Sequence, residues 1–68
     1  MRLLVSATDH AAFSTALRMA LRQGHDVVQV PEMNLFSVEG LPARTVERIQ
    51  KQLGQKISVR EERQFAHD

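Results

Sequence analysis

Residues 2–30 read RLLVSATDHAAFSTALRMALRQGHDVVQV and predict a strand, a helix and a second strand in direct succession. Residues 2–7 form a short apolar run that is typical of a buried strand. The segment over residues 9–23 has apolar side chains at i, i+3, i+4, i+7 and i+8, which predicts one buried stripe on a helix. The stripe positions are Phe13, Ala16, Leu17, Ala20 and Leu21.

Boundary signals flank the helical stripe. Thr8 or Asp9 offers an N-cap oxygen, and Gly24 stands where a left-handed C-cap is expected. Residues 26–30, DVVQV, are rich in β-branched side chains and end at Pro31, which has no N–H with which to continue a ladder. These signals predict a helix to about residue 23, a strand and then a turn.

The second half of the chain supplies another strand, helix and strand. Residues 35–38 predict a strand that returns antiparallel after the turn, and Pro42 favours the start of a helix that ends at Gly54. Residues 56–60, KISVR, alternate polar and apolar side chains, which predicts a last strand. The apolar side chains that this helix turns towards the core are Val46, Ile49 and Leu53.

The predicted order is therefore β-α-β-β-α-β, in a single domain over residues 1–68 whose tail, 61–68, is expected to fray. A small α/β (α+β) ferredoxin-like sandwich is the simplest packing: a four-stranded antiparallel sheet with two helices on one face. Because side chains alternate along a strand, parity assigns each strand residue to one face. The residues expected to face the helices are Leu3, Val5, Val28, Val30, Phe36, Val38, Ile57 and Val59.

The opposite, uncovered sheet face is the first candidate binding surface. In the ferredoxin-like order the first and third strands are central, so an apolar centre surrounded by a charged rim is expected there. That arrangement is typical of an interface. The predicted partner-binding residues are Leu4 and Leu35 in the middle, Val27 farther out, and Arg2, Lys56 and Arg60 around the rim.

The outward faces of the two helices form the second candidate surface. Five cations fall there, and Glu47, which is spaced for an i, i+4 pair with Lys51, is the single acid among them. Phosphate or an acidic partner would suit such a surface, although most charge runs are solvated helix faces. The cations of this basic face are Arg18, Arg22, Arg44, Arg48 and Lys51.

No residue pattern indicates catalysis or a metal. The chain has no Cys, and His10, His25 and His67 have no ligand partner at helical spacing outside the tail. Ser6, Asp9 and His10 are too close in sequence to adopt the geometry of a nucleophile, a base and its orienting group. We therefore expect a protein that is not an enzyme, with no cofactor, no metal and no small-molecule substrate.

Charge and hydropathy limit the partners further. A net charge of +1 gives no bulk attraction for nucleic acid or anionic lipid. The apolar run at the start of the chain is far shorter than a signal-peptide core or a membrane span. The expected location is the cytoplasm, with no membrane partner.

The leading hypothesis is a protein-binding module that forms a homodimer or acts as a stoichiometric inhibitor or adaptor. Phages and mobile elements often encode compact chains without site chemistry that block a protein machine of the host. The alternative is a small DNA-binding regulator, because residues 45–65, TVERIQKQLGQKISVREERQF, also fit a helix-turn-helix. Ser58 and Glu61 have capping-box spacing, which would start a second helix at Val59 and turn Arg60 and Arg63 towards DNA.

Overall fold

In the computed structural model, which describes residues 1–62, the chain forms the predicted β-α-β-β-α-β order. Two short 3-10 turns, at Pro31–Met33 and Gly54–Lys56, connect neighbouring elements. The strands and helices are β1 (Arg2–Ala7), α1 (His10–Gln23), β2 (His25–Val30), β3 (Leu35–Glu39), α2 (Ala43–Leu53) and β4 (Ile57–Glu61).

The four strands form one antiparallel sheet in the order β2-β3-β1-β4, so β1 and β3 are central. Val5 lies opposite Phe36 of β3 on one side and opposite Val59 of β4 on the other. Both helices pack against the face that carries Val5 and Phe36. This arrangement confirms the predicted α+β fold and is consistent with a ferredoxin-like sandwich.

The core lies between the sheet and the helices. The ring of Phe13 in α1 meets the ring of Phe36 edge to face, with the centroids 6.1 Å apart. Ile49 is the fully buried contribution of α2. The stripe on α1 is rotated slightly from its predicted position, because Ala12 is buried and Leu21 is 53% exposed. The fully buried set is therefore small and relies on close packing of short side chains against the sheet.

Gly24 ends α1 for a different reason from the predicted one. Its φ of −111° is extended backbone, so the predicted left-handed cap is wrong. The missing side chain matters instead, since a Cβ at this position would lie 2.5 Å from Cγ2 of Val38 and 3.0 Å from the carbonyl oxygen of Glu39. The chain turns from α1 into β2 directly against β3, and only glycine fits that approach.

Substitution of Gly24 by alanine tests this close approach. We expect Gly24→Ala to lower the free energy of unfolding by about 1–3 kcal/mol, because the new Cβ would clash with the fully buried side chain of Val38. Val38→Ala removes the methyl group that clashes with the new Cβ. In urea denaturation, the double variant should therefore lose about 1 kcal/mol less unfolding free energy than the sum of the two single losses. Gly54→Ala is the control, because its cost comes from a φ of +57° with nothing within 4 Å. Additive behaviour of the Gly24 and Val38 changes would contradict the steric explanation.

Strand β2 contains a bulge that the sequence analysis missed. His25 pairs with Glu39 and Val28 pairs with Ser37, so β2 has one residue more than β3 over this stretch. Asp26, with a φ of +53°, lies within the irregularity. A bulge reverses the alternation of the residues that follow it.

The predicted faces of β2 are consequently wrong. Val27, assigned to the open face, is partly buried and packs against the core cluster. Val28, assigned to the helices, is 53% exposed, and it pairs with Ser37 on the open face. Val30 pairs with Leu35 and also belongs to the open face.

The reversal predicts opposite mutational sensitivities for two adjacent valines. Val27→Ala should destabilise the protein by about 1–2 kcal/mol, because methyl groups packed on the core are lost. Val28→Ala should change stability by less than about 0.5 kcal/mol, as is usual for an exposed residue. Urea denaturation of the two variants side by side measures both effects. A larger loss of unfolding free energy for Val28→Ala than for Val27→Ala would show that β2 follows the regular alternation predicted from the sequence.

Strand β4 extends farther than predicted, to Glu61, which pairs with Leu3. The N–H of Glu62 then donates to the carbonyl oxygen of Arg2 at 2.8 Å. The helix proposed to start at Val59 is not formed, because Val59 lies in β4 opposite Val5. The rest of the tail, with Arg63 and His67, lies outside the described residues.

Within residues 1–62, neither helix combines the length and the apolar composition needed to cross a bilayer.

Candidate binding surfaces

The open face of the sheet carries side chains in rows that follow from the strand register. One row crosses the middle of the sheet and one lies beside it, towards the Pro31 turn. The middle row is Val28, Ser37, Leu4 and Arg60, and the neighbouring row is Val30, Leu35, Ser6 and Ser58.

Four aliphatic side chains in these rows form what we call the aliphatic patch: Leu4, Leu35, Val28 and Val30. Leu35 lies directly opposite Val30, and the register places it diagonally from Leu4 on the same face. Leu4, Leu35 and Val30 are half-buried, and Val28 is more exposed. The patch runs from the edge strand β2 to the centre of the sheet, and no element within residues 1–62 covers it.

Arg2 lies at the end of this face and holds neighbouring strands together. Its guanidinium donates to Oγ of Ser37 at 3.0 and 3.2 Å, to the Asp26 carboxylate at 3.0 Å and to the Asp26 carbonyl oxygen at 2.7 Å. Oε1 of Glu62 is 3.7 Å from Nε, a distance at which the attraction is electrostatic and not a hydrogen bond. The side chain is only 14% exposed. Arg2 is therefore occupied within the fold and is not a free rim cation.

The other two predicted rim cations differ from each other. Arg60 is exposed in β4 and lies directly opposite Leu4, so it borders the aliphatic patch as expected. Lys56 precedes β4 in a 3-10 turn, and its Nζ lies 3.7 Å from Oδ2 of Asp9 at the start of α1. Of the three, only Arg60 remains an exposed charge beside the aliphatic patch.

Glu39 gives the Arg2 end of the face a fixed negative charge. Its carboxylate accepts from the amino group of Met1 at 2.7 Å. That hydrogen bond, together with the nearby charges of Arg2 and His25, lowers the pKa of Glu39. The carboxylate therefore stays ionised at neutral pH and balances the cations around it.

Removing the guanidinium of Arg2 tests its structural role. We expect Arg2→Met to lower the free energy of unfolding by about 2–3 kcal/mol, because hydrogen bonds of a charged, largely buried donor are lost. Arg60→Met is the matched control on the same face and should cost less than about 0.5 kcal/mol. Chemical denaturation gives both values. Equal effects of the two variants would show that Arg2 does not organise the sheet.

The helix side presents a groove between α1 and α2, which we call the arginine groove. Three of the five predicted cations line it: Arg18 and Arg22 from α1 and Arg48 from α2. Its volume is about 350 Å³, and Thr15, Met19 and Gln52 complete the lining. A smaller adjoining cavity of about 100 Å³ is lined again by Arg22 and Arg48.

The other two predicted cations, Arg44 and Lys51, are exposed on α2 but line neither cavity. Glu47 and Lys51 do not approach within ion-pair distance, so the expected i, i+4 pair is absent. Glu47 instead lines an apolar cleft of about 490 Å³ on the other side of α2, a feature that sequence analysis missed. The remaining lining of this cleft is Met1, Leu3, Leu41, Ala43 and Val46.

The strand-to-helix turn after β1 shows the expected structural contacts. Oδ1 of Asp9 accepts from the N–H of Ala12 at 2.8 Å and so caps α1. The ring of His10 lies 3.4 Å from Oγ of Ser14, one turn along the helix. Among residues 1–62 there is no group of three His, Asp or Glu side chains that could hold a metal ion.

Comparison with protein-family models, with characterised proteins and with solved structures finds no significant match.

Proposed function

We propose that this chain is a non-enzymatic protein-binding module that docks through the open face of its sheet. The observation that carries the proposal is the aliphatic patch on that face, where the edge valine Val28 is 53% exposed. Exposed apolar groups that are contiguous and bordered by polar residues mark interaction sites more often than scattered ones do. A stoichiometric inhibitor or adaptor of a larger protein machine, as phages and mobile elements encode, is the form of activity that such a module supports.

The chemistry of the patch favours a protein over a nucleic acid. Single-stranded nucleic acids are bound on a sheet by aromatic side chains that stack with bases, and both described phenylalanines, Phe13 and Phe36, are buried. The DNA-binding alternative also loses its recognition helix, because residues 57–61 form β4. An aliphatic centre beside Arg60 instead suits the apolar core and polar rim of a protein interface.

The size of the face bears on how tight docking can be. Four strands about 4.8 Å apart and about five residues long span a planar area of roughly 300 Å². A standard interface buries about 800 Å² on each partner. A homodimer through this face alone would therefore be weak, whereas a larger partner that also contacts the rim would bind more tightly.

A second copy of the chain, related by a two-fold axis, is one protein partner that this face accommodates. The face carries an acid, Asp26, at the β2 edge and a base, Arg60, at the β4 edge. A two-fold axis parallel to the strands brings the β2 edge of one copy over the β4 edge of the other. Each Arg60 then approaches an Asp26 carboxylate that already accepts from Arg2 of its own copy, so this contact contributes little to a dimer.

Charge placed in the aliphatic patch should abolish docking without unfolding the protein. We expect the double variant Leu4→Lys, Leu35→Lys to weaken association at least tenfold, because two ammonium groups must be desolvated at the interface. Sedimentation velocity over a range of concentrations measures self-association. Affinity capture from nuclease-treated cytosol, quantified against the wild type, measures binding of another protein.

The matched control is Leu21→Lys, since Leu21 on α1 has the same 53% exposure as Val28 but lies on the helix side. Val28→Lys should reproduce the loss and Leu21→Lys should not, with circular dichroism confirming that each variant is folded. Association of the double variant at wild-type strength would refute the proposal. If proteins are captured from untreated cytosol but lost after nuclease treatment, the result would point to nucleic-acid binding in place of protein binding.

A further inference from the structure

The arginine groove concentrates positive charge without internal compensation. Arg18, Arg22 and Arg48 line one cavity, and none of them lies within 4.0 Å of a carboxylate of residues 1–62. By contrast, Arg2 and Lys56 elsewhere in the fold each approach an acid. Glu47, the one acid expected near the helical cations, lines the cleft on the opposite side of α2. Like charges that share a partly enclosed groove repel one another, and an anion placed there relieves that repulsion.

The residue type indicates which anionic group fits. All three cations are arginines, whose planar guanidinium donates two parallel hydrogen bonds to a carboxylate or a phosphate. Arg18 and Arg22 are one turn apart on α1, which places them about 6 Å apart along the helix axis. A ligand that engages both needs anionic groups at the same spacing. Thr15, Gln52 and Met19 add polar contacts and one apolar contact.

We propose that the arginine groove binds an acidic segment of a protein partner, with carboxylates spaced about one helical turn apart. Glutamates at i and i+4 of a helix lie about 6 Å apart along its axis, which matches the spacing of Arg18 and Arg22. Arg48 from α2 donates either to a third carboxylate of the segment or to the second oxygen of a carboxylate that Arg18 or Arg22 also binds. Met19, which also lines the groove, contacts the aliphatic part of the bound segment.

The groove fits a short acidic peptide better than a nucleic acid backbone. It contains no aromatic side chain on which a base could stack, and it holds only three cations. The net charge of the whole chain is +1, so the protein has no bulk field that would attract a long polyanion. A peptide with two or three carboxylates matches the charge of the groove itself.

This site is independent of the proposed docking through the open face. The helices pack on one face of the sheet, whereas the aliphatic patch lies on the other. Variants of Leu4 and Leu35 should therefore leave the arginine groove intact, and arginine variants should leave the aliphatic patch intact. Failure of either proposal can be recognised without reference to the other.

The test measures the fluorescence anisotropy of a labelled, alanine-based helical peptide with glutamates at three successive i, i+4 positions. We expect the wild type to bind it, and Arg18→Gln, Arg22→Gln and Arg48→Gln each to weaken binding by about tenfold through loss of a charge-assisted contact. Arg44→Gln is the matched control, because Arg44 is a cation of α2 outside the groove, and it should change the affinity less than about twofold. Arg22→Glu should weaken binding of the acidic peptide more than Arg22→Gln does, because the reversed charge repels the nearest glutamate.

Three outcomes would overturn this proposal. One is an equal loss for Arg44→Gln, which would show that only the overall charge matters. Another is tighter binding of an oligothymidylate of the same net charge, which would assign the groove to a phosphate backbone. The third is the absence of saturable peptide binding by the wild type when circular dichroism shows that it is folded.

Discussion

The guanidinium of Arg2 is the interaction on which the architecture of the sheet depends. It belongs to β1, donates to Ser37 of β3 and to Asp26 of β2, and lies beside Glu62 at the end of β4. One side chain therefore links three strands by hydrogen bonds and attracts the residue that follows the fourth, all at the same end of the sheet. A largely buried cation is tolerated only with such partners, since an unpaired charge would destabilise the fold strongly. The same contacts hold the bulge of β2, because two of them are made to Asp26.

The order of the elements could be predicted because the local signals agree with one another. Asp9 caps α1, the apolar spacing places Phe13, Ala16 and Ala20 in the core, and Gly54 ends α2 at positive φ. Period-2 alternation in KISVR was also a better guide than the capping-box spacing of Ser58 and Glu61. A strand beside central β1 buries Ile57 and Val59 against the core, which a helix at the end of the chain would not do.

The errors concern features that depend on three-dimensional packing. The bulge at Asp26 has no signature in DVVQV, where a bulged strand and a regular one have the same composition. One extra residue turned Val27 towards the core and placed Val28 and Val30, both assigned to the helix side, on the open face. Five helical cations were likewise expected on one face, whereas helix packing brings only Arg18, Arg22 and Arg48 into one groove. Charge spacing along a helix does not say which side of it faces the neighbouring helix.

The bulge of β2 also affects how the protein avoids aggregation. Strand β2 is at the edge of the sheet, where unpaired N–H and carbonyl groups are a template for adding a strand from another molecule. A regular, flat β2 with two adjacent valines would be a good template of this kind. The irregular backbone at Asp26 interrupts that edge and places a charged side chain on it. The residue that directs Val28 to the open face thus also interrupts one of the two sheet edges, β2 and β4, at which another strand could pair.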